Sequence, residues 1–334
     1  MTHSNTFSLR GVNKALKPNE RFTNEYQNVV VAGGGVLGSQ IAFQAAYKGF
    51  NVKVWLRMES SIGRAKPKFE RVEKIYLETL QAMKTKPQAY CRGLADNPKL
   101  AETQIDELIE KAAHAMDRIE FTLSHEEAAK DADLVIEAIA ENPAEKVEFY
   151  QTMAKYLPES AIIVTNSSTM LPSAFAESTG RPEKYLALHF ANEIWRNNTA
   201  EVMGHAGTSP EAYKEVVEFA EALGMIPLQL KKEQPGYILN SLLVPFLNSA
   251  QALLATGVAD PETIDKTWQL GTGAPLGPFR ILDIVGLTTA YNIVIMNPET
   301  KDPETVPGKI AALLKEYIDA GKTGINTGEG FYKY

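Results

Sequence analysis

The 334-residue chain carries a single cysteine, Cys91, so no intrachain disulfide can form and no cysteine-rich metal cage can be built. A lone thiol of this kind reads as a buried or incidental side chain rather than a nucleophile. Basic charge is also short: 34 Lys and Arg stand against 41 Asp and Glu, a net charge of −7. A general nucleic-acid binder needs a Lys/Arg surplus to neutralise phosphates, so that class is set aside. A local basic pocket for a phosphorylated cofactor stays open. The N-terminal stretch MTHSNTFSLRGVNKALKPNERFTNEYQ has no apolar segment of the secretory type, and no apolar run approaches the ~20 residues a bilayer requires. The expectation is a cytoplasmic protein that binds neither nucleic acid nor membrane. Histidine is scarce too, with five in the chain. None lies in a Cys/His/Asp cluster at metal-ligand spacing, and no metal is predicted.

What remains is an ordinary globular composition, 44% hydrophobic and 22% charged, long enough for two domains and a large core. Residues 1–26 are polar and without period, an N-terminal extension. NVVVA (28–32) then stops at three glycines, VLGSQIAFQAAYKGF follows at helical spacing, and NVKVWL (51–56) is a second β-branched run. Strand, glycine turn, helix, strand within about thirty residues is a βαβ unit and implies a parallel sheet. From Ser60 to about Leu123 the pattern is helical and charged, broken near Pro87. Further strands are expected at Asp133–Ile139, 161–166, 185–190, 200–205 and MIPLQL, with helices at Lys146–Tyr156 and 210–224. A composition break at KKEQPG puts a boundary after residue 232. Residues 27–232 are therefore read as an α/β domain and residues 233–334 as an all-helical one. The first helix of that second domain, ILNSLLVPFLNSAQALLATG, is apolar nearly all round, with a kink expected at Pro245. It exceeds what a small helical domain buries alone, so a homodimer through the C-terminal domain is expected.

Gly33-Gly-Gly35-Val36-Leu37-Gly38 fits G-x-G-x-x-G directly after a strand and directly before a helix. The first glycine permits the turn, the second admits pyrophosphate to the backbone, and the third allows close helix–strand packing. The helix N-terminus then offers free N–H groups to the phosphates. This is a Rossmann-type dinucleotide-binding signature. Where the second strand ends, an acidic side chain would accept from the adenosine ribose; here stands Arg57, which can pair with a 2′-phosphate, with Ser60 and Ser61 as further donors. Glu59 is close enough to contact the ribose instead. The balance tilts narrowly to NADP(H), with NAD(H) the near alternative.

The stretch from 165 to 240 carries the chemistry. His189 ends an apolar strand, where loops at the carboxyl ends of parallel strands gather around bound cofactor. Histidine starts near the pKa that alcohol deprotonation wants. Glu201, on the next strand, can hold one ring nitrogen, and Ser168 and Asn240 can donate to a substrate oxygen gaining charge. Asn166-Ser167-Ser168, His189-Phe-Ala-Asn192, Glu201 twelve residues past the histidine, and Asn240 in ILNSLLVPF resemble the 3-hydroxyacyl-CoA dehydrogenase family. So do Glu141-Asn142, Lys146 and the C-terminal GEGFYKY. The match runs from about residue 28 to the end and looks most like the bacterial diketoreductase and 3-hydroxybutyryl-CoA dehydrogenase branch. The resemblance implies a Rossmann-type domain followed by a helical dimerisation domain, and oxidation or reduction at C3 of a small acyl substrate. It also implies that Glu141, Lys146, Ser168 and Asn192 contact the ribose–nicotinamide half of the cofactor.

The chain departs from that family after the histidine, where Asn192-Glu-Ile-Trp195-Arg196-Asn-Asn198 replaces an Asn-Pro with small apolar residues. Trp195 then closes the acyl pocket or packs against a neighbouring subunit, and Arg196 can pair with a substrate carboxylate. The serine and lysine that the family uses to hold CoA do not recur at equivalent positions in SSIGRAKPKFERVEKIYLETL, and Asn326 stands where a lysine is common. The substrate is thus a CoA thioester, or a free acid or ester taken without CoA, as in the gulonate and carnitine dehydrogenases that share the architecture. A dinucleotide-binding protein without turnover, of the crystallin kind, is the remaining class, and the intact His189 and Glu201 weigh against it.

Overall fold

A computed structural model describes residues 27–334; the expected extension, 1–26, lies outside them. The described chain divides into two units, with the break between Tyr237 and Ile238, five residues beyond the composition break. The chain crosses there after Tyr237 has packed beside Met203 and Leu230 of the first unit.

The first unit is built on eight strands: β1 (Asn28–Ala32), β2 (Asn51–Trp55), β3 (Ile119–Thr122), β4 (Leu134–Glu137), β5 (Ile162–Thr165), β6 (Tyr185–Phe190), β7 (Thr199–Met203) and β8 (Ile226–Leu230). Their order is β3-β2-β1-β4-β5-β6-β7-β8, parallel throughout except where β7 runs antiparallel to β6. Strand order reverses between β1 and β4, which opens the crevice where such sheets bind ligands. β1 lies at the centre: Val29 and Val31 face one apolar cluster and Val30 and Ala32 the other, so both faces are covered and the strand reads as an unbroken apolar run. Helices α1 (Val36–Tyr47), α2 (Glu59–Met83), α3 (Glu102–Ala113), α4 (His125–Ala129), α5 (Pro143–Met153) and α6 (Pro210–Ala222) complete the layers.

One local expectation changes. The stretch read as helical up to Leu123 contains edge strand β3, whose four residues, IEFT, are too few to interrupt a helical pattern. Pro67 lies inside α2, which continues through it.

The second unit holds α7 (Tyr237–Ala255, beginning at the unit boundary), α8 (Pro261–Thr272), α9 (Pro278–Val285), α10 (Leu287–Val294) and α11 (Val306–Asp319). The single helix expected around ILDIVGLTTAYNIVI is two, parted at Gly286 (φ +92°). Asp265 caps the first turn of α9 by accepting from Phe279 and Arg280 N–H. Asp283 accepts from Phe331 N–H, Tyr332 N–H and the Tyr334 hydroxyl, which binds the C-terminal GEGFYKY segment down. α7 has nineteen residues with mean hydropathy 1.4. By length and composition that reaches the range of a membrane span, contrary to the expectation that no run comes near it. Asn240, Ser241, Asn248, Ser249 and Gln251 punctuate it.

Candidate active site

The glycine turn shows what each glycine is for. A Cβ on Gly33 would meet the Ala138 carbonyl oxygen at 2.5 Å, and Gly33 has φ +115°. A Cβ on Gly38 would lie 2.2 Å from the Gly33 carbonyl oxygen. Those two are fixed by turn and packing. Gly35 differs: its φ is −69° and a Cβ there would meet no protein atom within 4 Å. Nothing in the folded chain asks for glycine at 35, so the space over it is the space a bound group would use. α1 starts at Gly35 with no side chain capping its N–H groups, and those donors suit a pyrophosphate. Val36 is exposed and Leu37 half-buried at the same opening.

The turn opens into a cleft of about 570 Å³. Its lining includes Arg57, Ser61, Arg64 and Lys68 beside the acids Glu145 and Glu148, and the Trp55 indole N–H, also lining it, is buried without a partner. Arg57 reaches across to Glu145 at 2.8 Å while its side chain stays 57% exposed; an ion pair so exposed is worth about 0–1 kcal/mol and yields readily to a competing anion. Arg64 donates to the hydroxyls of Ser60 and Ser61. Glu59, the carboxylate that could have favoured ribose, is not among the lining residues. A dinucleotide therefore fits the residues present.

The acid/base candidates meet at the carboxyl edge of the same sheet. β6 and β7 are antiparallel with His189 directly opposite Glu201, so the two side chains share a face. His189 Nδ1 lies 3.2 Å from Glu201 Oε2 and Nε2 lies 3.1 Å from Ser168 Oγ. Imidazole and carboxylate are 8% and 5% exposed, leaving little water to screen them. Asn166 fixes the neighbouring strand end, its Oδ1 accepting from Phe190 N–H at 3.0 Å.

Behind the serine stands Glu141, which accepts from the Ser167 hydroxyl at 2.8 Å and from Ser168 N–H at 3.1 Å. Lys146, which the resemblance implies contacts the ribose–nicotinamide half, lies inside the protein. Its side chain is 1% exposed, with Nζ 2.6 Å from Glu137 Oε1 and 3.9 Å from Glu141 Oε2. The ammonium is spent inside the protein, on a carboxylate the sequence reading passed over. Glu137, fully buried, also accepts from Ile139 N–H, the Tyr150 hydroxyl and Thr165 Oγ1. Burial and that carboxylate push the Tyr150 phenol well up, so it stays protonated and donates to Glu137.

The loop after β6 also departs from expectation. Trp195 is buried in the domain core, its ring edge-on to Tyr76 at 5.8 Å and its carbonyl accepting from Gly93 N–H. An indole committed there faces the core of its own unit rather than an open pocket. Asn192 and Arg196 are exposed. Asn240 lies in the first turn of α7, half-buried within the second unit. Tyr237 was missed altogether: its ring stacks on His189 with centroids 4.3 Å apart and planes 11° from parallel. No group of three or more His, Cys, Asp or Glu is placed to hold a metal among the described residues.

A doubly wound sheet whose glycine turn receives a dinucleotide, with a carboxylate-held imidazole at the same edge, defines a nicotinamide-dependent oxidoreductase. Comparison with known proteins narrows the class. Residues 28–234 match the family model described as 3-hydroxyacyl-CoA dehydrogenase, NAD binding domain, and residues 236–334 its C-terminal domain. The mitochondrial hydroxyacyl-coenzyme A dehydrogenase of Rattus norvegicus is 33% identical, covering 92% of this chain and 91% of that one. A probable 3-hydroxybutyryl-CoA dehydrogenase of Bacillus subtilis is 32% identical over 93% of this chain and 98% of its own length. A solved diketoreductase, described as acting on dicarbonyl compounds, is 48% identical with a TM-score of 0.80, covering 92% of this chain and 99% of that one. The chain belongs to the 3-hydroxyacyl-CoA dehydrogenase family and is an oxidoreductase acting on CH–OH groups with a nicotinamide cofactor.

Proposed function

We propose that the chain interconverts the 3-hydroxy and 3-oxo forms of a small acyl compound with NADP(H), and that recognition rests on the acyl group rather than on CoA. The observation that carries the reading is His189 held between Glu201 at 3.2 Å and Ser168 at 3.1 Å. A bound nicotinamide supplies the hydride in reduction and accepts it in oxidation. In the reductive direction His189 gives the Nε2 proton to the carbonyl oxygen, Ser168 Oγ donates to the same oxygen as charge grows, and Glu201 steadies the ring through Nδ1. In oxidation the imidazole takes the hydroxyl proton and becomes the cation that Glu201 favours. Glu141 acts one step back, holding the Ser167–Ser168 backbone. Asn192 and Arg196 are assigned the border of the acyl site.

The cofactor preference is supported by Arg57, Arg64 and Lys68 in the lining of the cleft and by the absence of Glu59 from it. The acyl reading is supported by the likeness to the diketoreductase and by the missing CoA-holding serine and lysine. The exposed apolar residues of the second unit, Leu242 and Leu253 on α7 and Leu270 and Met296 beyond it, support a homodimer in which a second copy covers them; a cytoplasmic location is part of the same proposal.

The test replaces His189 by Gln. Turnover should fall about 10²-fold or more with cofactor affinity unchanged; unchanged turnover removes the histidine from this role. Initial rates with acetoacetyl-CoA, acetoacetate and a diketo ester then compare the substrates. A rate confined to the thioester would overturn the CoA-independent part.

A further inference from the structure

We propose that Tyr237 is a positioning residue for the acid/base pair: its ring face favours the charged imidazole of His189, and its hydroxyl holds the Ser168 loop within reach of that ring. The inference rests on the acid/base reading of His189 and extends it to a residue outside the expected set.

Three observations carry it. The phenol ring lies 4.3 Å from the imidazole, centroid to centroid, and 11° from parallel, within the range where an aromatic face attracts a cation. The hydroxyl donates to the Ser167 carbonyl oxygen at 2.7 Å, one residue before the serine whose Oγ meets His189 Nε2. One side chain thus touches the His189 ring by its face and, through the Ser167 carbonyl, the peptide that leads into Ser168. The backbone at Tyr237 has φ +55°, a left-handed conformation that an aromatic residue adopts only where surrounding contacts require it.

The charges around the imidazole agree. Glu201 faces it from β7, Ser168 from the loop after β5, and Glu141 stands behind the serine from the loop after β4. Burial, then the carboxylates of Glu201, Glu141 and Glu137, push the Tyr237 phenol up, so it remains neutral, a donor through its hydroxyl and an electron-rich face toward His189. No second positive side chain is bonded to the ring among the described contacts. A polar but neutral platform favours imidazolium without competing for its N–H donors.

The experiment follows the His189 ring directly in the full chain, by NMR titration of ¹⁵N-histidine protein, with the signal assigned by its loss in His189→Gln. Tyr237→Leu removes the ring face. It should lower the midpoint of the His189 titration by about 0.4 to 1.5 pH units, and the acid limb of kcat/KM against pH should move with it. A midpoint within 0.2 unit of the parent overturns the stacking role (about 0.2 unit being well under the smallest cation–π effect). Tyr237→Phe keeps the ring and loses the tether, and its near-identical shape keeps the test open should the leucine variant not fold. Its His189 midpoint should stay with the parent while kcat falls about 2- to 12-fold at unchanged cofactor KM. Parental kcat in Tyr237→Phe, or a midpoint displaced as far as the leucine variant expects, overturns the tether or the face respectively. The titration does not depend on turnover, so a failure of the enzymatic reading would show in His189→Gln and leave these midpoints interpretable.

Discussion

Replacing Lys146 by Met removes the one cation beside a carboxylate that has no access to water. Glu137 is fully buried and keeps three donors after the change, from Ile139, Tyr150 and Thr165. Its counter-charge at 2.6 Å is gone. Breaking a buried pair from one side costs about 3–5 kcal/mol, because the surviving charge stays desolvated. For a unit of this size each kcal/mol moves the melting midpoint by about 2–4 °C, so a fall of roughly 6–20 °C is expected. Calorimetric unfolding of the parent and variant measures it. The double variant Glu137→Leu with Lys146→Met, which removes both charges, should melt above the single variant, since no stranded carboxylate remains. Activity offers a second reading. Lys146 Nζ also lies 3.9 Å from Glu141, which orders Ser167 and Ser168, so kcat measured well below the melting range should fall as well. If Lys146 instead served the cofactor alone, the variant would lose cofactor affinity while melting within about 2 °C of the parent, a loss under 1 kcal/mol, and the buried-clamp argument would be wrong.

The second and third glycines of the turn should separate binding from stability. Gly38→Ala drives a Cβ to 2.2 Å from a carbonyl oxygen and should destabilise the apo-protein by several kcal/mol, whereas Gly35→Ala should leave its melting within about 1 kcal/mol of the parent while weakening cofactor binding at least about tenfold, a pair of results checked by calorimetry and cofactor fluorescence titration. Arg57→Asp should swing the preference toward NADH, seen as a reversal in the ratio of kcat/KM for the two cofactors; an unchanged ratio would assign Arg57 to its Glu145 bridge alone. Sedimentation at micromolar concentration should give twice the 36.8 kDa chain mass, and a single-chain mass would count against the dimer.

Much of this could be read from residue order because the relevant signals are local or strictly spaced. The glycine turn announces itself within six residues, and the twelve-residue step from His189 to Glu201 is the step between partners across an antiparallel strand pair. Glu137 was legible in principle: an acid inside the apolar run LVIEAI asks where its partner is. Lys146 could not be placed from sequence, since a lysine in the first turn of a helix looks alike whether its ammonium faces the cleft or a buried acid. Tyr237 left no signal, because its stack on His189 joins residues 48 positions apart through a turn of positive φ. Trp195 misled for the reverse reason. A large aromatic six residues past the candidate histidine suggests a pocket wall, yet here the chain reverses at Glu193 (φ +58°) and the indole is buried.

That reversal sorts the segment 192–198 into two populations. Gln40, on the helix that follows the glycine turn, accepts from the backbone of Glu193 and Ile194 through its side-chain oxygen, and Ile194, Trp195 and Asn198 are buried while Asn192, Glu193, Arg196 and Asn197 are not. Anchoring thus falls to Ile194, Trp195 and Asn198, and the exposed letters around them can change without opening the core behind.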